Sequence, residues 1–197
     1  GLKTVIVISV PHKFGPIDTS VLKTKFYPRF LQISMTNLAL RRFGMQAEGL
    51  IDCDIDELAW AGGESVYERA GRSALGVTRM RGRWIEAARA PDAPVRHQTF
   101  RHRLANLGHR LSPSKWVLDP RRDWVQSLKV HPYLHRIHGA PMAARKHDDK
   151  AAFFHFKGIN TNWKEDRTGT EKRPQRLAID DKLAAAMSAL ARQSSGN

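Results

Sequence analysis

Gly49-Leu50-Ile51-Asp52-Cys53-Asp54-Ile55-Asp56-Glu57-Leu58 passes from apolar to acidic within a few residues, and its reading decides the fold. Aliphatic residues that give way to carboxylates read as a buried strand whose far end reaches solvent. Upstream, Val5-Ile6-Val7-Ile8-Ser9-Val10 is a β-branched run stopped by Pro11, and it reads as a second strand buried on both faces. Between the two, Pro28 opens a helical pattern that places Leu31, Met35 and Leu38 on one face, and Gly44 closes it. This spacing predicts a helix over about 28–43. A strand–helix–strand unit with a long crossover is right-handed and parallel. In open α/β sheets ligands sit beyond the carboxyl ends of the strands, which is where the acidic run falls. The expected architecture is therefore α/β, a mostly parallel sheet with flanking helices, in a single domain over 1–197.

Further along, 64–74 reads as a short helix, 77–85 as a strand with Arg at alternate positions, and 151–156 as another buried strand. Residues 86–150 are rich in proline, and only 115–118 and 127–130 look strand-like. The chain ends in an expected helix over about 179–192, with Asp180 and Asp181 in its first turn and Leu183, Met187 and Leu190 on one face. His131, His135 and His138 lie close in sequence, but Pro132 and Gly139 argue against the helix that would gather them on a zinc ion.

Length and composition bound the function. At 197 residues and 41% hydrophobic the chain can bury a core, and no apolar run approaches the roughly 20 residues of a membrane-spanning helix. Lone Cys53 excludes an internal disulfide framework and a cysteine-rich zinc module. It fits a reducing compartment, so the cytoplasm is the expected location. The net charge of +14 is unevenly spread. Residues 43–68 hold seven carboxylates and no Lys or Arg, whereas 69–146 hold seventeen basic and four acidic residues. Such an island calls for compensating cations, either from the Arg-rich block or from a metal ion. The block itself is either a solvated surface or a positive cleft for phosphates, nucleic acid or anionic lipid, and its preference for Arg suits anionic ligands.

On a strand, Asp52, Asp54 and Asp56 would share one face. Carboxylates that close repel, and Mg²⁺ or Mn²⁺ relieves the repulsion by taking oxygen ligands from one or two of them together with substrate phosphates. The alternatives are a strand end of solvated acids, or acids paired to the Arg block.

Val10-Pro11-His12-Lys13-Phe14-Gly15-Pro16, Gln32, Leu50 through Leu58, and Phe154-His155-Phe156-Lys157-Gly158 together resemble bacterial nucleotide-sugar glycosyltransferases of the GT-A type. The similarity is to the family-2-like enzymes of surface-polysaccharide assembly, whose central motif is Asp-x-Asp-Glu followed by an apolar residue, and it spans about 3–165. The resemblance implies a GT-A-like sheet and a sugar (hexosyl) transfer from a nucleotide-sugar donor to a glycan or lipid-linked acceptor. It implies a divalent metal ion, Mn²⁺ or Mg²⁺, held by Asp54 and Asp56 with His155 as a further ligand; Asp52, Lys157 beside His155, and Trp163, from its polar loop after His155, are the candidate donor-binding residues, a core role being the alternative for the tryptophan. For His155 a structural place at a strand end remains open. For the catalytic base it calls for, Glu86 and Asp92 are the nearest candidates, and for Glu86 a salt bridge to neighbouring Arg is the competing reading. The Arg-rich block would steer the protein to an anionic acceptor or to the inner face of the membrane as a peripheral protein.

The resemblance further implies a nucleotide-binding strand and helix ahead of the point where this chain begins, for which the sequence has no counterpart. The expectation is an incomplete or compact domain, with an inactive remnant of the fold as another reading. A third reading is a basic nucleic-acid-binding protein or Mg²⁺-dependent nuclease. Against nucleic acid as partner, the sequence holds no recognised binding motif and does not interleave its basic residues with aromatics.

Overall fold

Ala151-Ala152-Phe153-Phe154-His155-Phe156 puts bulky apolar side chains on both faces of any strand it forms, so such a strand must be covered on both sides. In a computed structural model of the chain it is the second half of a long strand, and both coverings are present. Phe153 packs with Ala61, Ala70, Met80 and Val117 on one face. Phe154 and Phe156 pack with Ile85, Phe100, Leu183 and Ala186 on the other.

The structure describes residues 7, 9–11, 30–90, 92–105, 111–127, 131–133, 135–159 and 177–195. In chain order the elements are α1 (Phe30–Ala39), which runs on as a π-helical turn (Leu40–Gly44), β1 (Leu50–Ile51), β2 (Glu57–Trp60), α2 (Val66–Arg72), β3 (Val77–Ile85), β4 (His102–Leu104), β5 (Leu111–Leu118), α3 (Asp123–Gln126), β6 (His131–Tyr133), β7 (Arg136–His138), β8 (His147–Phe156), β9 (Leu177–Ile179) and α4 (Asp181–Ser195). Five strands form one sheet in the order β1-β5-β3-β8-β2. Ala70 of α2 packs on one face of this sheet, and Leu183 and Ala186 of α4 on the other.

The chain is thus α/β, but the sheet is mixed rather than mostly parallel. Only β3 and β8 run parallel; β1–β5, β3–β5 and β2–β8 are antiparallel. The parallel expectation rested on the run 5–10 pairing with a strand over 49–54. β1 is only two residues long and stands at the sheet edge against β5. Of the upstream run, Val7, Ser9 and Val10 are described; they lie outside any strand, and Val7 is 86% exposed.

Other expectations are met with small shifts. The helix over 28–43 is found as α1 and its π-helical extension, which ends at Gly44. That over 64–74 is α2, started by a capping box in which Ser65 accepts from Tyr67 N and Glu68 accepts from Ser65 N. The strands over 77–85, 115–118 and 151–156 are β3 and the ends of β5 and β8. Of the expected strand over 127–130, Ser127 follows α3 and accepts no strand partner, and the rest lies outside the described residues. The three histidines fall on the β6–β7 hairpin, not a helix.

The terminal helix begins at Asp181, two residues later than its pattern suggested, because Leu177–Ile179 pairs with β4 and Asp180 forms the N-cap. Asp180 is fully buried. Its Oδ1 accepts from Leu183 N at 3.0 Å, while Oδ2 meets Arg83 at 2.9 Å and Arg103 at 3.7 Å. One carboxylate therefore starts the helix and ties it to the middle of the sheet. No helix among the described residues is long and apolar enough to cross a membrane.

Replacing Asp180 tests this tie. Asp180→Ala removes both cap and ion pair and should lower unfolding free energy in urea by about 3 kcal/mol or more. Asp180→Asn keeps the cap and should lose clearly less. Equal losses would assign the effect to the charge alone.

Candidate functional site

Between β1 and β2 the chain has five residues in which to turn, and the last three of them, Asp54, Ile55 and Asp56, make the turn together with Glu57 of β2. Glu57 N donates to Asp54 O at 3.1 Å, and the Glu57 side chain folds back so that Oε2 accepts from Asp54 N at 2.9 Å. His97 closes it from outside, donating Nε2–H to Ile55 O at 3.0 Å. Asp52, Asp54 and Asp56 are consequently not three residues of a strand sharing one face, as their spacing suggested. They flank a turn, and their side chains part: Asp54 goes to Lys115 and Asp56 to His155.

Lys115 answers the acidic island. On β5 it shares a face with Val117, toward α2, while Trp116 and Leu118 point the other way. Its side chain is 3% exposed and its Nζ lies 3.1 Å from Glu57 Oε2 and 3.2 Å from Asp54 Oδ2; the Glu57 side chain is 1% exposed. Burial opposes the ammonium, but Glu57, Asp52 and Asp54 overcome that and hold it above the ordinary lysine value. Burial raises the Glu57 carboxyl, partly offset by Lys115 and by the Asp54 N–H. Asp52, at the end of β1, is likewise raised by desolvation, against the pull of Lys115. Cys53 stands in the same field: desolvation and then the Glu57 charge push its thiol up to about 12, so it is no thiolate nucleophile at neutral pH.

β8 brings the distant half of the site. His155 lies opposite Glu57 in the β2–β8 register and opposite Trp84 in the β3–β8 register, so the three side chains share one face. The His155 ring nitrogens are 3.2 Å from Asp56 Oδ2 and 3.3 Å from Glu57 Oε1, and its ring stacks on Trp84 with centroids 4.2 Å apart. Next along, Lys157 Nζ meets Glu86 Oε1 at 2.6 Å and lies 5.6 Å above the Trp84 ring. The turn after β8 needs Gly158: a Cβ there would come within 2.3 Å of the Phe100 ring.

The structure thus gathers Asp54, Asp56, Glu57, Lys115, His155, Trp84, Lys157 and Glu86 at one end of the α2-side face. Trp163, expected at the donor, lies outside the described residues. Glu86 and Lys157, expected as base and phosphate ligand, are engaged with each other. Lys115 and Trp84 received no role from the sequence. A lysine inside the apolar run Trp116-Val117-Leu118 was the available signal; for Trp84, only its place beside Glu86 pointed to the site.

Among the described residues no group of three or more His, Cys, Asp or Glu side chains is arranged to hold a metal ion. A pair is. Two ligands at right angles on a cation with bonds of about 2.1 Å stand about 3 Å apart, close to the 3.2 Å between Asp56 Oδ2 and His155 Nε2. Carboxylate oxygen with imidazole nitrogen suits Mn²⁺ better than a purely oxygen-seeking ion. Compared with protein-family models, curated proteins and solved structures, the chain matches none of them.

Lys115→Met should cost about 3–5 kcal/mol at neutral pH, because Glu57 is left buried without its cation. Lys115→Met/Glu57→Leu removes both charges and should recover most of it. In the single variant the folded state retains a proton on Glu57 more strongly than the unfolded chain does, so its deficit should shrink as pH falls toward 4.5. The wild-type contribution of Lys115 is present below pH 10.5 and is lost as pH rises through its higher folded value. Urea titrations across pH check both; a pH-independent deficit that the double change does not repair would assign the loss to lysine-stem packing.

Proposed function

We propose that the chain is a metal-dependent glycosyltransferase domain of GT-A-like descent that moves a sugar from a nucleotide-sugar donor to a glycan or lipid-linked acceptor. The observation that carries this is the meeting of Asp56 with His155 across 99 residues of sequence, because the family resemblance makes these two residues ligands of one cation. Asp56 and His155 would hold the cation, while Asp54 is engaged by Lys115, and the cation would supply neutralisation of the charge that develops on a nucleoside diphosphate leaving group.

The protein's own groups do the rest. Glu57 and Lys115 fix the turn so that Asp56 faces His155. Trp84 holds the imidazole in place by stacking. Lys157 offers an ammonium to a phosphate oxygen, and in doing so would release Glu86, whose carboxylate becomes the available proton acceptor for an acceptor hydroxyl. The mixed sheet departs from the resemblance, so the nucleotide base and ribose have no assigned contacts among the described residues.

A thermal-shift screen with UDP-, GDP-, CDP- and dTDP-sugars, each with and without Mn²⁺, tests the reading. A donor at about 100 times its dissociation constant adds about 2.7 kcal/mol, which for a chain of this size is a rise of roughly 5–10 °C. The rise should need Mn²⁺ and should vanish in Asp56→Asn and His155→Ala. Lys157→Met should weaken the Mn²⁺-dependent rise without abolishing it. If no nucleotide sugar stabilises the folded chain, or if stabilisation survives Asp56→Asn unchanged, the reading fails.

A further inference from the structure

The opposite face of the sheet carries a second concentration of charge. Arg79 of β3 is paired with Trp116 of β5, and since Lys115 and Trp116 are neighbours on one strand, their side chains lie on opposite faces. The thickness of the sheet separates the two groups. Between this second face and the β6–β7 hairpin lies a cavity of about 340 Å³, with Val77, Trp116 and Ile137 in its apolar wall and Arg79, Arg136 and Arg145 as its cations. Among the described residues no carboxylate lines it. Among the described residues none of these arginines is ion-paired with a carboxylate, whereas Arg69, Arg83, Arg103, Arg121 and Arg122 all are.

Arg79 is aimed rather than loose. Its Nε and Nη2 donate to Ser114 Oγ at 3.0 and 2.8 Å, and its Nη1 to Arg145 O at 2.9 Å. Desolvation, then the charges of Arg136 and Arg145, push its guanidinium below the ordinary arginine value. Three like charges around one cavity repel each other until an anion enters, and planar guanidiniums match phosphate oxygens in pairs.

We propose that this cleft binds a phosphate ester, with the phosphate on Arg79, Arg136 and Arg145 and the esterified group against Val77 and Ile137. The inference does not depend on the sugar-transfer reading, because the cleft shares no residue with that site. Its chemistry serves a soluble ester or a phospholipid headgroup alike.

Two probes distinguish the sources: glycerol 3-phosphate, followed by phosphorus NMR without added metal, and vesicles of phosphatidylcholine with and without phosphatidic acid, followed by co-sedimentation. Arg136 and Arg145 are exposed, so Arg136→Gln/Arg145→Gln should fold normally; Arg101→Gln/Arg192→Gln removes the same charge from exposed arginines elsewhere. Each cleft substitution should weaken binding about tenfold, and the pair about a hundredfold, with little change in the control pair or in Asp56→Asn. Loss of glycerol 3-phosphate binding in the cleft variant assigns a soluble ester, and loss of phosphatidic-acid-dependent sedimentation alone assigns a headgroup. If neither probe binds, or the control pair weakens binding as much as the cleft pair, the proposal is overturned.

Discussion

A lysine and a glutamate buried together on the α2-side face set the shape of everything around them. Desolvating Lys115 and Glu57 is costly, and burying the pair is no guarantee of net stability. What the pair does supply is position, since neither partner can leave without stranding the other. Glu57 is bound on three sides, by the Asp54 N–H, by Lys115 and by the near approach of His155. The turn 54–57 is therefore locked to β5 and β8 at once, and Asp56 is held where it meets His155 as a consequence.

The same economy runs through the rest of the charge. Arg69 serves Glu64 and Asp148, Arg121 and Arg122 serve Asp119, and Arg83 and Arg103 serve Asp180. These arginines use their forks on the chain's own carboxylates and so join α2, α3 and α4 to the sheet. Paired side-chain hydrogen bonds hold Asp119 and Asp148 below the usual carboxylate range, so their contribution to stability is present above pH 3.8 and is lost as pH falls through the lower folded values. Within the acidic island, Glu64 is paired with Arg69 and Arg72, and Asp54 and Glu57 with Lys115. Among the described residues, what is left over from the Arg-rich block includes the three arginines of the opposite face.

The sequence revealed elements whose local pattern has one physical solution. A run with aromatics at both parities must be a doubly covered strand, and β8 is one; Leu183 and Met187 one turn apart must face a core, and α4 does. It was misleading where the outcome depended on partners far along the chain. Nothing local in Leu50-Ile51 says that β5 will meet it antiparallel. Three aspartates at period two read as a strand face, yet the Glu57 side chain caps the backbone and bends the run into a turn, a choice that needs Lys115 from 58 residues downstream to neutralise it. His155 was legible as a candidate through its motif, but its neighbours Glu57 and Trp84 came only from strand register.

Two ways of neutralising the Asp-rich turn had been open, protein cations or a metal ion; the geometry shows the first at Glu57 and Asp54, and the proposed function rests on the second at Asp56. Lys115 takes Glu57, which sits in the core, where a fixed ammonium is worth most, and reaches from there to exposed Asp54. Asp56 meets the His155 imidazole instead, a side chain that also serves as a metal ligand. An acidic turn wholly satisfied by lysine and arginine would have no use for a histidine from 99 residues away. One anchored internally at Glu57 and turned to His155 at Asp56 combines rigidity with a carboxylate–imidazole pair, and that combination is what the proposed cation site would demand of its first turn.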